Sequence, residues 1–229
     1  YAVANSHDNS AAIEQYIDGP EFSVEIIICN NEPKVLIVTD KLTSGSPYFV
    51  ELGHSQPSQF SEKELSNIKN LAIAGCKALG LNWCVAHAEV KLQDEKPYII
   101  EIGARLGGDF ISTELVHLST GIDMVAAAID LAFGKIPDLT SRHSIQGAAI
   151  RYFTPTPGML TKLIVKDDIN KPNQIYQFEI YKKTGEIIPE LKSSLDRSGH
   201  VITTGKDAKE AINNAEMALR SIEYETELA

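Results

Sequence analysis

The sequence lacks several features that would place it quickly in a class of protein. It has no run of about 18 apolar residues and no signal peptide, so nothing in it predicts a membrane-spanning helix or export. Cysteine is scarce, and the three residues Cys29, Cys76 and Cys84 lie in apolar runs without the spacing of a metal site. A sparse, odd number of cysteines is typical of a reducing compartment, and we expect a cytoplasmic protein.

Basic segments and familiar phosphate-binding motifs are also missing. The 229 residues include 31 acidic and 21 basic side chains, which gives a formal net charge of -10. No segment rich in lysine or arginine offsets this excess, so the composition argues against binding to nucleic acid or to an anionic membrane. Neither G-x-x-x-x-G-K-[ST] nor G-x-G-x-x-G occurs in the chain, which excludes a P-loop.

Two hairpins are predicted in the first half of the chain, from apolar runs on either side of polar turns. The first covers residues 21–41 and the second covers residues 84–103. In the second hairpin, Glu89 and Glu101 lie at equal distances from residue 95, in the middle of the polar QDEKP turn. A symmetric hairpin therefore places these two carboxylates directly opposite each other on one face.

Helical periodicity predicts three further elements. Residues 61–80 carry apolar side chains at helical spacing, and they begin with a capping box formed by Ser61 and Glu64. A second helix is predicted over residues 119–134. Strand-like runs return from about residue 145, and an amphipathic helix starting at Asp207 closes the chain. The pattern thus predicts an α+β protein.

The opposed carboxylates raise a chemical question, because like charges repel and an apolar strand excludes the water that would screen them. A hard divalent cation between Glu89 and Glu101 would offset that cost, since Mg²⁺ commonly binds one or two carboxylates together with substrate phosphates. Arg105 follows the strand and can contact a phosphate with both arms of its guanidinium group. In the structural alternative, Glu101 lies at a wet strand end and Glu89 pairs with Lys91 or a neighbour. The glycines that follow Glu101 favour the metal site, because they permit close approach of a ligand.

Three stretches, IEQYIDGPEFSVE, AEVKL and YIIEIGARLGGD, together resemble the ATP-grasp carboxylate–amine ligases. Biotin carboxylase, carbamoyl-phosphate synthetase and the bacterial L-amino-acid (dipeptide) ligases belong to this superfamily. The resemblance covers residues 12–135 well and residues 145–205 more loosely. It implies that residues 1–140 are the C-terminal part of an ATP-grasp domain, an antiparallel sheet flanked by helices. Residues 141–229 would form a C-terminal α/β lobe, with the boundary near residues 135–144.

The resemblance places the nucleotide near the start of the chain. The backbone of a hinge strand formed by Glu14, Gln15, Tyr16 and Ile17 would contact adenine, and Glu21 would hold the ribose hydroxyls. In such enzymes a flexible, glycine-rich loop over the phosphates belongs to a lobe upstream of the hinge. About a dozen residues precede the hinge here, and none is glycine. We therefore expect the chain alone to bind Mg-ATP weakly and to be inactive, and an upstream N-terminal half of the same protein to restore turnover.

At the second hairpin the resemblance implies the metal and phosphate contacts. Glu89 and Glu101 match the two magnesium ligands, and Arg105 matches the arginine that stabilises the transferring phosphoryl group. Many members have asparagine as a further ligand at the position where this chain has Gly103. Water or a different residue would have to supply that ligand. The implied cofactors are ATP and Mg²⁺.

The stretch YFVELGHSQPS resembles the dipeptide-ligase branch, and the match implies that Glu51 and His54 are substrate-site residues. An acidic group and an imidazole suit recognition of a substrate amine, or proton handling during acyl transfer. Lys41, at a predicted strand end facing the same loop, is a further substrate candidate. The alternative for His54 is packing within a loop. Structural roles are expected for three other polar residues: His87, Arg197 and His200.

The implied reaction has two steps. A substrate carboxylate attacks the γ-phosphate of ATP to give an acyl phosphate and ADP, and an amine then displaces the phosphate. The implied partners are a small-molecule carboxylate and amine, and a homodimer is compatible with the sequence. Two other classes stay open. One is a carboxylase or a carbamoyl-phosphate synthetase-like enzyme, which a biotin or bicarbonate requirement would distinguish; the other is a non-catalytic nucleotide-binding module.

Overall fold

The computed structural model describes residues 2–166, 169 and 174–227, and it contains one large and one small β-sheet. The strands are β1 (Glu21–Cys29), β2 (Glu32–Thr43), β3 (Glu51–Gln56), β4 (Cys84–Gln93), β5 (Lys96–Gly103), β6 (Gly147–Tyr152), β7 (Gly158–Val165), β8 (Ile175–Ile180), β9 (Ile187–Ile188), β10 (Gly199–Gly205) and β11 (Ile222–Glu227). The helices are α1 (Glu62–Ala78), α2 (Val116–Thr120), α3 (Met124–Ala132) and α4 (Ala208–Arg220), with a π-helical turn at Ile111–Leu115 before α2.

The large sheet has eight strands in the order β5-β4-β1-β2-β3-β6-β10-β8, and its pairings are antiparallel. The two predicted hairpins are confirmed as β1–β2 and β4–β5. Strand β1 pairs with β2 on one side and β4 on the other, so the two hairpins form one surface. Strand β3 pairs directly with β6, which makes the sheet continuous across residues 135–144. A small sheet, β11-β7-β9, completes the fold.

Side chains of β1 alternate between the two sides of the sheet, as the period of a strand requires. One side, which we call the apolar face, packs under α1 and consists of Phe22, Val24, Ile26 and Ile28. The other side, which we call the polar face, carries Ser23 and Glu25. Farther along this side, Ile27 joins a second apolar core with residues of α2 and α3. The helices therefore cover both sides of the strand, and all these side chains are buried.

Helix α1 begins and ends as its sequence predicts. The backbone N–H of Glu64 donates to Ser61 Oγ at 3.3 Å, and the Glu64 carboxylate accepts from the Ser61 N–H at 3.0 Å, which completes the capping box. Gly80 follows the helix with φ of +66°, a left-handed conformation that favours glycine. The buried residues of the helix lie at helical spacing and cover the apolar face: Ile68, Ala72 and Cys76.

The helix predicted over residues 119–134 is interrupted, so that prediction is wrong in its extent. Gly121, with φ of +74°, ends α2, and Asp123 then caps α3 by accepting a hydrogen bond from the Ala126 N–H at 2.8 Å. The segments on either side of the break are bent by 116°. Across the described ranges, no single helix is long and apolar enough to cross a bilayer, and only this bent pair meets the criterion, by length and composition alone.

Other predictions of local structure also need correction. The expected hinge strand is absent, because residues 10–18 form no ladder with any strand in the described part of the chain. Strand β3 lies in the stretch whose structural alternative was a loop, and β11 was not predicted. Lys41 lies within β2 rather than at its end. Strands β3 and β11 pair with β6 and β7, which are distant in sequence.

Candidate active site

A cavity of about 170 Å³ opens over the polar face. Strands β2, β3 and β4 contribute to its lining, as do the loop after β5 and a short 3₁₀ turn at Ser194–Asp196. The structure brings five of the predicted site residues together in this lining: Lys41, Glu51, His54, Glu89 and Arg105. Two residues that the sequence analysis did not single out, Asp109 and Ser194, also line it. Antiparallel pairing and alternation thus assemble one polar site from distant segments.

Lys41 lies at the centre of a cluster of carboxylates, and its side chain is only 3% exposed. Its Nζ atom is 2.5 Å from Glu21 Oε1 and 3.2 Å from Glu89 Oε1. Glu51 is slightly farther, at 3.8 Å. Burial opposes the charged amine, but the charges of Glu89 and Glu21 outweigh it and raise the pKa of Lys41 above its ordinary value. Lys41 therefore stays protonated and organises these carboxylates around one cation.

Glu89 and Glu101 are directly opposed across β4 and β5, which confirms the predicted pairing. The hairpin is not symmetric, however. Near the turn, Val90 pairs with Ile99. If the strands kept that register, Ile100 would lie opposite Glu89. A β-bulge leaves Ile100 without a partner and restores Glu101 to the polar face, because a slip of one residue moves a side chain to the other face.

The repulsion expected between these carboxylates is relieved by separate cationic side chains. Glu89 accepts from His87 Nε2 at 3.4 Å and from Lys41 at 3.2 Å, and these contacts lower the pKa of Glu89 to about 2. Glu101 accepts from Arg105 Nη2 at 2.9 Å, and both of those side chains are exposed. Glu101 itself lies outside the cavity lining, whereas Arg105 belongs to it.

The donor chemistry at this hairpin fits a hard cation that is shared with phosphate oxygens. Mg²⁺ requires only one or two protein carboxylates when substrate and water complete its octahedron. Over the described residues, no three His, Cys, Asp or Glu side chains form a metal-binding group. Gly103 contributes no side chain, and a Cβ atom there would lie 3.1 Å from the Arg105 side chain. Glu89 and Glu101 thus supply two carboxylates of the kind that Mg²⁺ binds.

A buried ion pair lies behind Glu89. His87 Nδ1 is 2.5 Å from Glu25 Oε1, and Ser112 Oγ donates to the other Glu25 oxygen at 2.9 Å. Burial opposes a charged imidazole, but hydrogen bonds to Glu25 and Glu89 raise the pKa of His87 to about 9. Both ring nitrogens have partners, so His87 has the structural role that the sequence predicts.

The first glycine of the Gly-Gly pair after Arg105 is required by this ion pair. A Cβ atom at Gly107 would lie 2.7 Å from His87 Nδ1 and 2.8 Å from Glu25 Oε1. A Cβ atom at Gly108 would meet nothing within 4 Å. Gly107 therefore lets the loop after β5 lie directly against the buried pair, and this contact positions the loop at the cavity.

Asp109 links the loop after β5 to the C-terminal part of the chain, and sequence reasoning missed it. Its carboxylate accepts from Arg197 at 2.7 and 2.8 Å, and it lies 3.2 Å from His54 Nε2. Burial opposes ionisation of Asp109, but the hydrogen bonds from Arg197 and His54 hold its pKa well below the ordinary value. An acidic residue directly after Gly-Gly was the available signal for this position. The partner Arg197 is 88 residues away and left no local signal.

Glu51 and His54 lie on β3 and face the same cavity. Ser194 Oγ donates to Glu51 Oε2 at 2.8 Å, which ties the 3₁₀ turn to the site. His54 is 1% exposed, and burial lowers the pKa of its imidazole, so the ring is held neutral. Its Nδ1 atom is buried and has no hydrogen-bond partner among the described residues. A neutral imidazole with an unused nitrogen can accept a proton.

A second groove of about 340 Å³ shares Lys41 with the cavity and also includes Glu21. The rings of Tyr16 and Phe49 line it, with their centroids 5.9 Å apart. Lys91 Nζ lies 4.9 Å from the centroid of the Tyr16 ring and donates to the carbonyl of Ile17 at 3.2 Å. Lys91 is therefore not the partner of Glu89, although the structural alternative is right that Glu101 is exposed and that Glu89 pairs with a neighbour, His87. Two predicted adenine contacts are exposed and lie outside the groove lining: Glu14 and Gln15.

Two family matches agree with this geometry. Residues 1–114 match the ATP-grasp domain, and residues 151–227 match the L-amino acid ligase C-terminal domain 2. The chain belongs to the ATP-grasp ligases, a superfamily of enzymes, and it carries the C-terminal domain of the L-amino acid ligases. The resemblance drawn from the motifs and the predicted α+β class are thereby confirmed.

Similar proteins include two curated relatives and a solved structure. The chain is 29% identical to carnosine synthase 1 from Gallus gallus over 134 residues, which are 58% of this chain and 14% of that protein. It is 32% identical to alanine–anticapsin ligase from Bacillus subtilis over 119 residues, 51% of this chain and 25% of that protein. The L-amino acid ligase from Bacillus licheniformis shares the fold, with a TM-score of 0.81 and 24% identity over 93% of this chain and 55% of that one. The chain thus spans a quarter or less of the two curated relatives.

Proposed function

We propose that this chain forms the catalytic face of an ATP-dependent ligase that joins a small-molecule carboxylate to an amine. The observation that carries the proposal is the placement of Lys41, Glu89 and Arg105 in one cavity, beside a groove with aromatic walls. The family match supports the ligase class. The names of two similar proteins, alanine–anticapsin ligase and L-amino acid ligase, favour an amino acid as one substrate.

In this proposal ATP extends from the aromatic groove into the cavity. Adenine contacts Tyr16 and the backbone near Ile17. The ribose hydroxyls donate hydrogen bonds to the carboxylate of Glu21, in place of Lys41. The phosphates then reach Arg105, whose planar fork can contact two phosphate oxygens at once. The cavity and the aromatic groove meet at Lys41, which supports a single elongated ligand that occupies both of them.

The first proposed step is transfer of the γ-phosphoryl group of ATP to the substrate carboxylate. A carboxylate oxygen forms a bond to phosphorus while the bond to the β-phosphate oxygen breaks, which gives an acyl phosphate and ADP. Such transfer depends on positioning and charge neutralisation more than on covalent help from the protein. Arg105 would neutralise the transferring group. Mg²⁺, when held by Glu89 and Glu101, polarises phosphate oxygens as a Lewis acid.

The second proposed step is attack of the amine on the acyl carbon, with release of phosphate. Glu51 would bind the incoming ammonium group, because its carboxylate lines the cavity and is partly exposed. The amine must lose a proton as the new carbon–nitrogen bond forms, and His54 Nδ1 would accept it. A neutral imidazole can act as a general base. Glu51 and His54 thus divide recognition and proton transfer between them.

We further propose a cytoplasmic location and an upstream segment as a partner. The chain spans only part of its relatives, and the aromatic groove is open beside residues 10–18, whose backbone forms no ladder. An upstream segment covering this groove would exclude water and strengthen the contacts to the phosphates. Calorimetry of Mg-ATP binding, with and without that segment, tests this part of the proposal; robust turnover by the chain alone would contradict it.

The decisive experiment is an ADP-release screen of the chain combined with its upstream segment, against pairs of carboxylic acids and amines. Arg105→Lys should lower kcat about 100-fold and leave the KM for ATP nearly unchanged, because a point charge does not replace a bidentate fork in the transition state. The exposed Arg142→Lys, outside both lined spaces, is the matched control and should change neither value. ADP release that requires bicarbonate or biotin would favour the carboxylase alternative. Nucleotide binding without turnover for any pair would favour a non-catalytic module.

A further inference from the structure

The imidazole of His54 is oriented by one carboxylate. Its Nε2 atom lies 3.2 Å from Asp109 Oδ2, and its Nδ1 atom is buried without a partner among the described residues. An ionised carboxylate accepts hydrogen bonds and donates none, so the nitrogen facing it must carry the hydrogen of a neutral ring. Asp109 therefore selects the Nε2–H tautomer of His54, and this leaves the lone pair on Nδ1.

Asp109 is itself oriented by Arg197, which lies in the L-amino acid ligase C-terminal domain. The guanidinium group donates to both carboxylate oxygens, at 2.7 and 2.8 Å, in the paired geometry that fixes direction as well as distance. Arg197 Nε donates to the carbonyl of Ser194 at 2.7 Å, and the guanidinium carbon lies 3.6 Å from the centroid of the Tyr152 ring. These contacts leave the guanidinium one orientation.

The backbone around Asp109 shows that the C-terminal domain also holds the loop. Asp109 and Phe110 have φ of +53° and +62°, a conformation that is costly for a bulky residue such as phenylalanine. The Tyr152 hydroxyl donates to the Asp109 carbonyl at 3.4 Å, and the Phe110 ring lies 4.5 Å from the ring of His200. Contacts from β6 and β10 therefore support the conformation that aims the Asp109 carboxylate at His54.

We propose that Asp109 and Arg197 are positioning residues that fix the tautomer and orientation of His54, so that the C-terminal domain prepares the base of the second chemical step. The catalytic consequence rests on the proposed ligase function. In that step the proton of the amine moves to Nδ1 as the carbon–nitrogen bond forms and the bond from the acyl carbon to the phosphate oxygen breaks. With the other tautomer, Nδ1 would already carry a hydrogen and could not accept that proton.

Arg151 provides a matched control for Arg197. Both arginines are nearly buried, at 6% and 9% exposure. Arg151 donates to the carbonyl of His54 at 3.3 Å and to Glu216 at 3.0 Å, and none of its hydrogen bonds within the described residues reaches Asp109. Replacing either arginine with lysine removes one buried guanidinium group next to His54. Only the change at Arg197 alters the support of the carboxylate.

The tautomer is measured directly by long-range ¹H–¹⁵N correlation spectra of the His54 ring near pH 7.5. We expect the Nε2–H form in the wild type and in Arg151→Lys. Asp109→Asn should move His54 largely to the Nδ1–H form, because the asparagine amide can donate to Nε2. Arg197→Lys should give a mixture of the two forms. If a thermal-unfolding control shows that Asp109→Asn does not fold, Arg197→Lys takes its place in the test.

Kinetics of ADP release and product formation, measured on the chain combined with its upstream segment, supply the second readout. Asp109→Asn should lower kcat for the amine-dependent step about 100-fold, within the range that general base catalysis contributes, and should leave the KM for ATP unchanged. Arg197→Lys should lower kcat about 10-fold, and Arg151→Lys by less than about twofold.

Three results would overturn the positioning role: an Nδ1–H tautomer in the wild type, an unchanged tautomer in folded Asp109→Asn, or equal effects of the two arginine variants on the spectra. Absence of ligase activity in the wild-type chain combined with its upstream segment would instead refute the proposed function. The tautomer measurement needs no turnover, so it would still decide whether Asp109 and Arg197 position His54.

Discussion

The two faces of β1 share one backbone geometry but have opposite chemistry. The apolar face is buried under α1, and on the polar face Ser23 and Glu25 are equally inaccessible. Burial therefore does not distinguish the faces; their partners do. Glu25 is paired with His87, whereas Ser23 Oγ has no hydrogen-bond partner in the described part of the chain and faces the cavity.

The difference indicates that the two faces of β1 have separate roles, one in stability and one in the cavity. Removing apolar area from water stabilises the fold at about 25 cal/mol per Å², so the apolar face supplies stability. Buried ion pairs contribute little net stability, because desolvation offsets much of their attraction. The charged cluster around Lys41 is therefore better explained by the chemistry of the cavity than by folding. Changes on the two faces should accordingly separate activity from stability.

The largest expected effect is loss of activity on the polar face. In the chain combined with its upstream segment, Glu89→Gln should lower ADP release about 1000-fold, because a neutral amide neutralises a cation shared with phosphate oxygens far less than a carboxylate does. Repulsion between two opposed carboxylates, taken alone, would predict that removing one of them stabilises the metal-free form. Since Glu89 is paired with His87 and Lys41, we now expect the free energy of unfolding to fall slightly instead.

The control for this variant is Glu95→Gln, on the turn of the same hairpin. Glu95 pairs with Lys63 at 2.6 Å, and both side chains are exposed far from the cavity lining. ADP release should be the same as in the wild type. Normal turnover by Glu89→Gln, with this control also normal, would rule out the role of Glu89 in holding the metal and phosphates.

The next largest effect belongs to the apolar face. Ile26→Ala should lower the free energy of unfolding by about 3 kcal/mol in urea titrations, since the side chain is fully buried and its loss leaves a cavity under α1. Activity per folded molecule should not change. Ile129→Ala, on an exposed part of α3, should cost less than about 0.5 kcal/mol. A loss of kcat in folded Ile26→Ala would show that the two faces are coupled.

A smaller effect, with a defined pH dependence, is expected at Asp109. Arg197 and His54 hold the pKa of Asp109 below its ordinary value, so the charged carboxylate stabilises the folded state. That stabilisation is present above the unfolded-state pKa of about 3.9 and is lost as the pH falls through the lower folded-state pKa. Relative to the wild type, Asp109→Asn should cost about 2 kcal/mol between pH 5 and 7. The difference should shrink below pH 4, and a difference that grows on acidification would contradict this assignment.

The smallest effect concerns the helix that covers the apolar face. Ser61→Ala removes the side-chain cap of α1 and should lower the free energy of unfolding by about 1 kcal/mol. Ser66→Ala, on the exposed surface of the same helix, should be neutral or slightly stabilising, because alanine is the better helix former. Thermal unfolding of the two variants checks this, and equal costs would show that the cap contributes nothing specific.

Local rules in the sequence were sufficient for several elements. Apolar runs on either side of polar turns predicted both hairpins, and the capping box of Ser61 and Glu64 predicted where α1 begins. These features depend on residues within a few positions of one another, so the sequence alone determines them. The three stretches IEQYIDGPEFSVE, AEVKL and YIIEIGARLGGD were together enough to indicate the superfamily and to select Glu89 and Arg105 as candidates.

Only the tertiary structure decided which side chains meet. The bulge at Ile100, the partners of Glu89 and the reach of Arg197 across 88 residues to Asp109 depend on strand pairing between distant segments. Gly107 is a further example. A Cβ atom at this position would collide with His87 and Glu25, which lie on two other strands, so only glycine fits. A sequence specifies which residues can carry charge or turn the chain. Hydrogen-bond distances between segments far apart in sequence arise only when the sheet brings those segments into register.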